Sequence, residues 1–437
     1  MSAGVRGSAA EPMPGDLRMA RTLWPVLLAS AVGLLPFTVF STFLVPIADE
    51  AGGGVAAVGG FRGLGGLAAL LVGTALAPLI DRVSRERAAG FGLVALAFSA
   101  ALGAAGDFVL LAVFCLLVGA STAVLNPALT AAAADTFSSG GLAGRAADGD
   151  AGRAAEGAAG RAAEGAAGRA AGRAATLVTA TQSLTAMLAA PVVALPALLW
   201  GWQGDLLAVA AGALLLAAVF LTRRPPDGAT AEGGDSAPRL GYLASFRTLG
   251  AVPGVVPLLL IAFLRTAVFM GYLAYLAAFY DARFGLGPGT FALVWTLSGA
   301  AFFVSNLLTG RFTNADAPRV ATERLLGIGL VAALASVTGF YLTHWLPLAL
   351  ALTSLHAASH AVVAAAVVSL LVRRTDTLRG AALSVNAAGM SLGVFAGAAL
   401  GGAGLGLAGY PGVAVVFGAL VVMALGAAVL VSRSGSA

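Results

Sequence analysis

Residues 252–280 read VPGVVPLLLIAFLRTAVFMGYLAYLAAFY and carry a single charge, Arg265. As a helix this run is about 44 Å long at 1.5 Å per residue. The apolar interior of a bilayer is roughly 30 Å thick. A helix apolar on every side and longer than that thickness belongs in a membrane. The run is therefore a transmembrane helix with a cation near its middle.

The rest of the chain has the same character. Of its 437 residues 59% are hydrophobic, 59 are Gly and only 10% are charged. A soluble domain carries about 25% charged residues, and the mean hydropathy here is +0.93. So few charges cannot cover a water-soluble globule, which excludes a soluble enzyme, a disordered chain and a secreted disulfide scaffold. Cys115 is the only cysteine and lies in an apolar run, so no disulfide within the chain is available.

Twelve runs are long enough to cross. They cover 22–48, 55–80, 88–106, 108–134, 176–200, 204–222, 252–280, 289–310, 325–343, 345–372, 380–406 and 411–431, and are numbered here as spans 1 to 12. All 25 basic residues are Arg. With the N-terminus inside, 22 of them fall in cytoplasmic segments and one, Arg283, in an outer loop; Arg62 and Arg265 lie inside spans. That asymmetry sets orientation by the positive-inside rule. Both termini are expected in the cytoplasm and the protein in the cell's inner (plasma) membrane. The net charge of +5 is then an orientation signal and not a nucleic-acid footprint.

The long loops divide the chain. Residues 223–247, rich in Pro, Gly and charge, separate two sets of six spans. The expected organisation is a tail over 1–21, a six-helix bundle over 22–222, a linker over 223–247, a second bundle over 248–432 and a tail over 433–437. The loop 135–175 repeats AGRAA at Ala143, Ala151, Ala159 and Ala167. A period of eight fits no packed repeat and reads as a low-complexity, flexible or weakly helical insert.

Polar side chains are unevenly spread. Spans 3, 6, 9 and 12 carry few, while span 4 has a stripe of Thr122, Asn126 and Thr130 on one helical face. Span 5 adds Gln182 and span 11 adds Asn386. Every third span is expected to face lipid and the others to surround a polar centre, as in a repeat-built transporter. No acidic residue lies deep in a span. Arg265, with Phe269 and Tyr272 on its face, and Arg62, about 10 Å into span 2, do. His356 and His360 sit one turn apart in span 10. Charges buried in a membrane mark pathways, and His titrates near neutral pH. No Cys, Asp or Glu in the membrane completes a metal site with the His pair, so neither metal nor cofactor is expected. There is no Lys, hence no Walker P-loop and no expectation of an enzyme.

Asp81-Arg82-Val83-Ser84-Arg85-Glu86-Arg87 after span 2 resembles the loop motif G-x-x-x-D-R-x-G-R-[RK] of the major facilitator superfamily. Ala77, Ser84 and Glu86 stand at positions where the motif has Gly, Gly and a basic residue. Gly310-Arg311 is a degenerate echo after span 8. Gly119 with Asn126-Pro127, Gln182-Ser183-Leu184 with Pro191 and Gly201-Trp202, and Arg379 through Asn386 with Gly393 and Gly397 are similar to patterns of its twelve-span drug:proton antiporter and sugar-efflux branch. Cys115 stands where that branch has an Arg.

The resemblance implies an all-α integral membrane fold: twelve transmembrane helices in two pseudo-symmetric six-helix bundles around one cavity. It places Arg265, Tyr272, His356, Asn126 and Thr122 around that cavity and Asp81, Arg82, Arg85, Gly310 and Arg311 in a gating loop motif. The function it implies is secondary transport, with proton-coupled export of small organic molecules as the leading reading. His356 or His360 would carry the proton, and Gln182, Asn386 and Arg62 complete the candidate pathway. An importer or exchanger of organic anions using Arg265 and Arg62 is the rival, and a membrane sensor that has lost transport a third. Expected partners are the solute, protons and the bilayer, for a monomer with no nucleic acid.

Overall fold

The computed structural model describes residues 16–75, 83–138, 156–223, 247–313, 320–375 and 378–433. Among them the chain is helical throughout, with no strand. This is the only backbone arrangement besides a closed barrel that satisfies its own polar groups in lipid.

Span 1 shows how sequence shapes a crossing. It is three short helices, Trp24–Val32, Leu35–Thr42 and Leu44–Glu50. A proline has no N–H and its ring collides with the carbonyl four residues earlier. Four residues before Pro36 is Val32, and four before Pro46 is Thr42; each is the last residue of a helix. The three pieces therefore follow from the two prolines.

Spans 2, 3 and 4 are single helices over Val55–Ala75, Arg85–Gly103 and Phe108–Ser138. The helix over Glu156–Thr222 is 67 residues long and contains a non-helical Gly201 at φ 70, ψ 176. Its apolar stretch, Ala170–Thr222, would reach about 80 Å if straight. The chain reverses at Gly201 instead, in a conformation that side chains other than glycine's resist, and so makes spans 5 and 6. Spans 7 to 10 run over Val255–Phe284, Pro288–Thr313, Thr322–Leu342 and Leu346–Thr375. The last helix, Arg379–Arg433, reverses at Ala408 and Gly409 (φ 62) into spans 11 and 12. Ten long apolar helical stretches thus make twelve crossings. Part of the AGRAA insert, from Glu156, is helix continuous with span 5. The linker interior and residues 139–155 lie outside the described residues.

Two hydrophobic cores form. One is built mainly from residues between Met19 and Phe220 and contains Phe40 and Phe114. The other runs from Ala190 to Val431 and holds a connected aromatic cluster, with Tyr272, Phe279, Tyr280, Phe340, Tyr341 and Phe417 linked by ring contacts. In lipid, helices associate through close packing of small residues. Gly119 lies against the backbone of Gly65 within the first half, and Gly397 against that of Ala267 within the second.

The halves meet along two seams, span 2 against span 11 and span 5 against span 8. Span 7 is the most enclosed crossing. The expected alternation of lipid-facing spans holds only in part. Phe91, Leu215, Ile328 and Val415 on spans 3, 6, 9 and 12 are exposed, but so are Leu195 on span 5 and Leu293 on span 8. Spans 5 and 8 seal on each other along one edge and present the remainder to lipid.

Candidate functional site

The site has a sealed side and a side that holds a cavity. Toward the end bearing Asp49, Asp107 and Asp281, Tyr275 of span 7 donates its hydroxyl to the carbonyl of Ala398 on span 11 at 2.8 Å. It also reaches the carbonyl of Ala56 on span 2 at 3.2 Å. Gly59, Gly401 and Gly402 leave room for this ring. A Cβ at Gly66 would sit 2.5 Å from the Ser391 carbonyl oxygen and 2.8 Å from the Phe395 nitrogen. Backbone contact this close joins the halves from this level to the acidic end.

Toward the opposite, arginine-rich end a cavity of about 340 Å³ lies between residues of the two halves. Spans 2, 4 and 11 supply its wall, with Thr74, Thr122, Asn126, Ser384 and Ser391 as the hydrogen-bonding groups and no charged side chain among the described residues. Alanines, Gly73, Leu70 and Pro127 form the remainder. Asn126 accepts a long 3.4 Å hydrogen bond from Gln182 Nε2, which fixes its amide from span 5. The Thr122 hydroxyl bonds back to its own helix, at Val118 O (2.9 Å). Of the sequence candidates, Thr122 and Asn126 line this cavity, and Gln182 adjoins it through Asn126.

The other candidates lie elsewhere. Arg265, Tyr272, His356 and His360 are buried within the second half among spans 7, 8, 9 and 10. Arg265 Nη2 donates to Thr266 Oγ1 at 3.1 Å. Phe269 stacks on His360 at 5.2 Å and on Phe302 at 5.4 Å. The two imidazoles are 4.4 Å apart between ring centres. His356 Nδ1 shares a 3.0 Å hydrogen bond with Ser336 Oγ, and its ring lies 4.4 Å from Tyr272. His356 Nε2 and both nitrogens of His360 are buried without a partner among the described residues. Tyr272 donates to Thr353 Oγ1 at 2.9 Å, and Tyr280 shares the same oxygen at 2.8 Å.

Arg62 sits apart, in the first half. It donates to the Ser41 hydroxyl and lies 5.7 Å above the Phe37 ring. Asn386 donates to Met390 Sδ at 3.4 Å, and its Oδ1 is buried without a partner among the described residues. Of the loop motif, Arg85 pairs with Asp135 at 3.0 Å, tying span 3 to span 4. Asp81 and Arg82 lie outside the described residues, and Gly310 and Arg311 are described only as helical backbone. No group of three or more His, Cys, Asp or Glu comes together among the described residues.

Sequence reasoning did not single out Tyr275, Thr353 or Ser336 as site residues. Thr353 shares a helical face with His356 and His360, at i, i+3 and i+7, and that spacing was the available signal. Ser336 had none, because span 9 reads as peripheral.

A family profile described as Major Facilitator Superfamily matches residues 26–346. Among solved structures, the chain is similar to a bacterial homologue of the human lysosomal transporter Spinster in an inward-facing, occupied conformation. The identity is 16% and the TM-score 0.70, over 97% of this chain and 98% of that one. It is similar to the nucleoside transporter NupG, with 14% identity and a TM-score of 0.71 over 95% and 98%. It is also similar to the peptide transporter POT in complex with alafosfalin, with 14% identity and a TM-score of 0.72 over 97% of both chains. At such identities the likeness is one of fold. No curated protein matches the chain by sequence.

Proposed function

The chain belongs to the major facilitator superfamily, and from that premise we propose that it exports small organic molecules by alternating access, coupled to protons. The carrying observation is the cavity between spans 2, 4 and 11, whose hydrogen-bonding groups among the described residues are all neutral and which lies toward the arginine-rich end. That end is the cytoplasmic one in this proposal, with both termini there and the protein in the plasma membrane. Hydroxyls and an amide on a wall of small apolar residues suit an uncharged or weakly polar solute.

The proton is assigned to His356 or His360, since no carboxylate lies deep in a span and both rings are buried at mid-membrane. Alternating access in this reading opens the Tyr275 seam as the halves rock and closes the cavity behind the solute.

A thermal-stabilisation screen of the purified protein with neutral, cationic and anionic organic solutes identifies the ligand class. Asn126→Ala is expected to weaken the best neutral ligand about fivefold, the worth of one hydrogen bond near 1 kcal/mol. In proteoliposomes carrying a pH-sensitive dye, proton flux driven by that ligand is expected to disappear in the His356→Ala/His360→Ala variant. Flux that survives unchanged sinks the histidine assignment.

A further inference from the structure

We propose that Arg265, His360 and His356 form a binding site for a small carboxylate anion, which enters together with a proton. The site is separate from the neutral cavity and rests on the reading of the histidines as the protonatable pair.

The first support is charge. Arg265 is buried about 15 Å from the start of span 7, yet no carboxylate pairs with it among the described residues. The one hydrogen bond it makes there is to the neighbouring Thr266. An uncompensated cation at that depth is costly. The second support is polar accounting. Three imidazole nitrogens of His356 and His360 are buried without a partner among the described residues, whereas buried polar groups in folded proteins are nearly always satisfied. Phe269, one turn beyond Arg265 on span 7, stacks on His360 of span 10 and on Phe302, so these unmet requirements lie between spans 7 and 10 beside an apolar wall.

A carboxylate answers the Arg265 charge and accepts from imidazole N–H groups, while an acceptor nitrogen of His360 is met only when the ring takes up the proton. The guanidinium fork matches the two oxygens of a carboxylate, and an imidazole N–H supplies a further donor. The groups facing the two histidines are Arg265 and Tyr272 from span 7, Ser336 from span 9 and Phe302, through Phe269, from span 8. Tyr280 and Tyr341 stand behind Tyr272. The only fixed charge in that set is positive. A proton on His360 would put a second positive charge within electrostatic reach of Arg265. A carboxylate seated on Arg265 removes that repulsion, so anion and proton bind synergistically. No bond is made or broken beyond the transfer of one proton to imidazole nitrogen.

The test is the melting temperature of the full-length purified protein, titrated at pH 6 and pH 8 with sodium acetate, sodium chloride or acetamide. The expected result is saturable stabilisation by acetate, stronger at pH 6, and none by the neutral isostere acetamide. Arg265→Gln is expected to weaken acetate on the order of tenfold, the loss of one charge-assisted hydrogen bond. Arg265→Lys, which keeps the charge, should restore part of it. Equal effects of acetate and acetamide, or of acetate and chloride, overturn the site, as does an Arg265→Gln variant that folds and responds like the parent. Acetate stabilisation without histidine-dependent proton flux overturns the coupling reading and leaves the anion site standing. Histidine-dependent flux without acetate stabilisation does the reverse.

Discussion

The hydroxyl of Thr353 shows what single residues decide in this membrane. Thr130, Thr309 and Thr338 turn their hydroxyls back onto their own helix. Thr353 instead meets two tyrosines from another span. Replacing it by Val keeps the shape and strands two buried phenolic hydroxyls, at roughly 1–3 kcal/mol each where no new partner is found. Thr353→Val is therefore expected to lower the melting temperature clearly more than Thr338→Val, and Thr353→Ser should recover most of the loss. Equal melting temperatures for the two valine variants would show that the tyrosines find other partners. Arg85–Asp135 is the contrasting case: both side chains are about half exposed, so the pair contributes little.

At the scale of elements, breaks and reversals follow from backbone chemistry. Pro36 and Pro46 end the helices before them, and Gly201 and Gly409 turn two very long helices back through the membrane. Gly201 holds φ 70, ψ 176, which an L side chain adopts only with strain. Gly201→Ala is expected to destabilise the protein by about 1–3 kcal/mol, whereas Gly212→Ala, where added atoms meet open space, should be neutral or stabilising. Comparative thermal unfolding in detergent reads both. Loop-end ion pairs repeat in mirrored form: Arg85 of span 3 with Asp135 of span 4, and Glu323 of span 9 with Arg374 of span 10. Each lies at the arginine-rich ends of two antiparallel helices in its own half.

At the scale of the whole molecule, the question is which end is open. Tyr275 holds carbonyls from both halves with one hydroxyl. Tyr275→Phe removes that link while keeping the ring, and is expected to raise the population opened toward the acidic end. Spin labels at Gly54→Cys and Leu407→Cys, both exposed at that end, should show a longer mean distance in the variant. An unchanged distance distribution would mean that glycine packing alone holds the seam. Topology can be read with a membrane-impermeant thiol reagent, because Cys115 is the sole cysteine and is buried. A cysteine at Arg283 should be labelled from outside intact cells, and one at Arg433 only after permeabilisation.

The sequence by itself determined the membrane class, twelve crossings and the positions of their reversals. These depend on apolar length and on Gly and Pro, which act within a few residues of themselves. It also located every ionisable group inside the spans, since a charge in an apolar run is conspicuous without a structure. Only the tertiary structure decided which of them meet. Arg265, Tyr272 and His356, which the family resemblance set around one cavity with Asn126 and Thr122, are buried inside the second half and are not in the wall that Asn126 and Thr122 line. Ser336 faces His356 although its span reads as peripheral, and Tyr275 closes one end although nothing marks it among its aromatic neighbours. Partnership in a bundle is set by the rotation and tilt of helices far apart in sequence, and the glycine contacts that fix these act between chain segments that periodicity cannot pair.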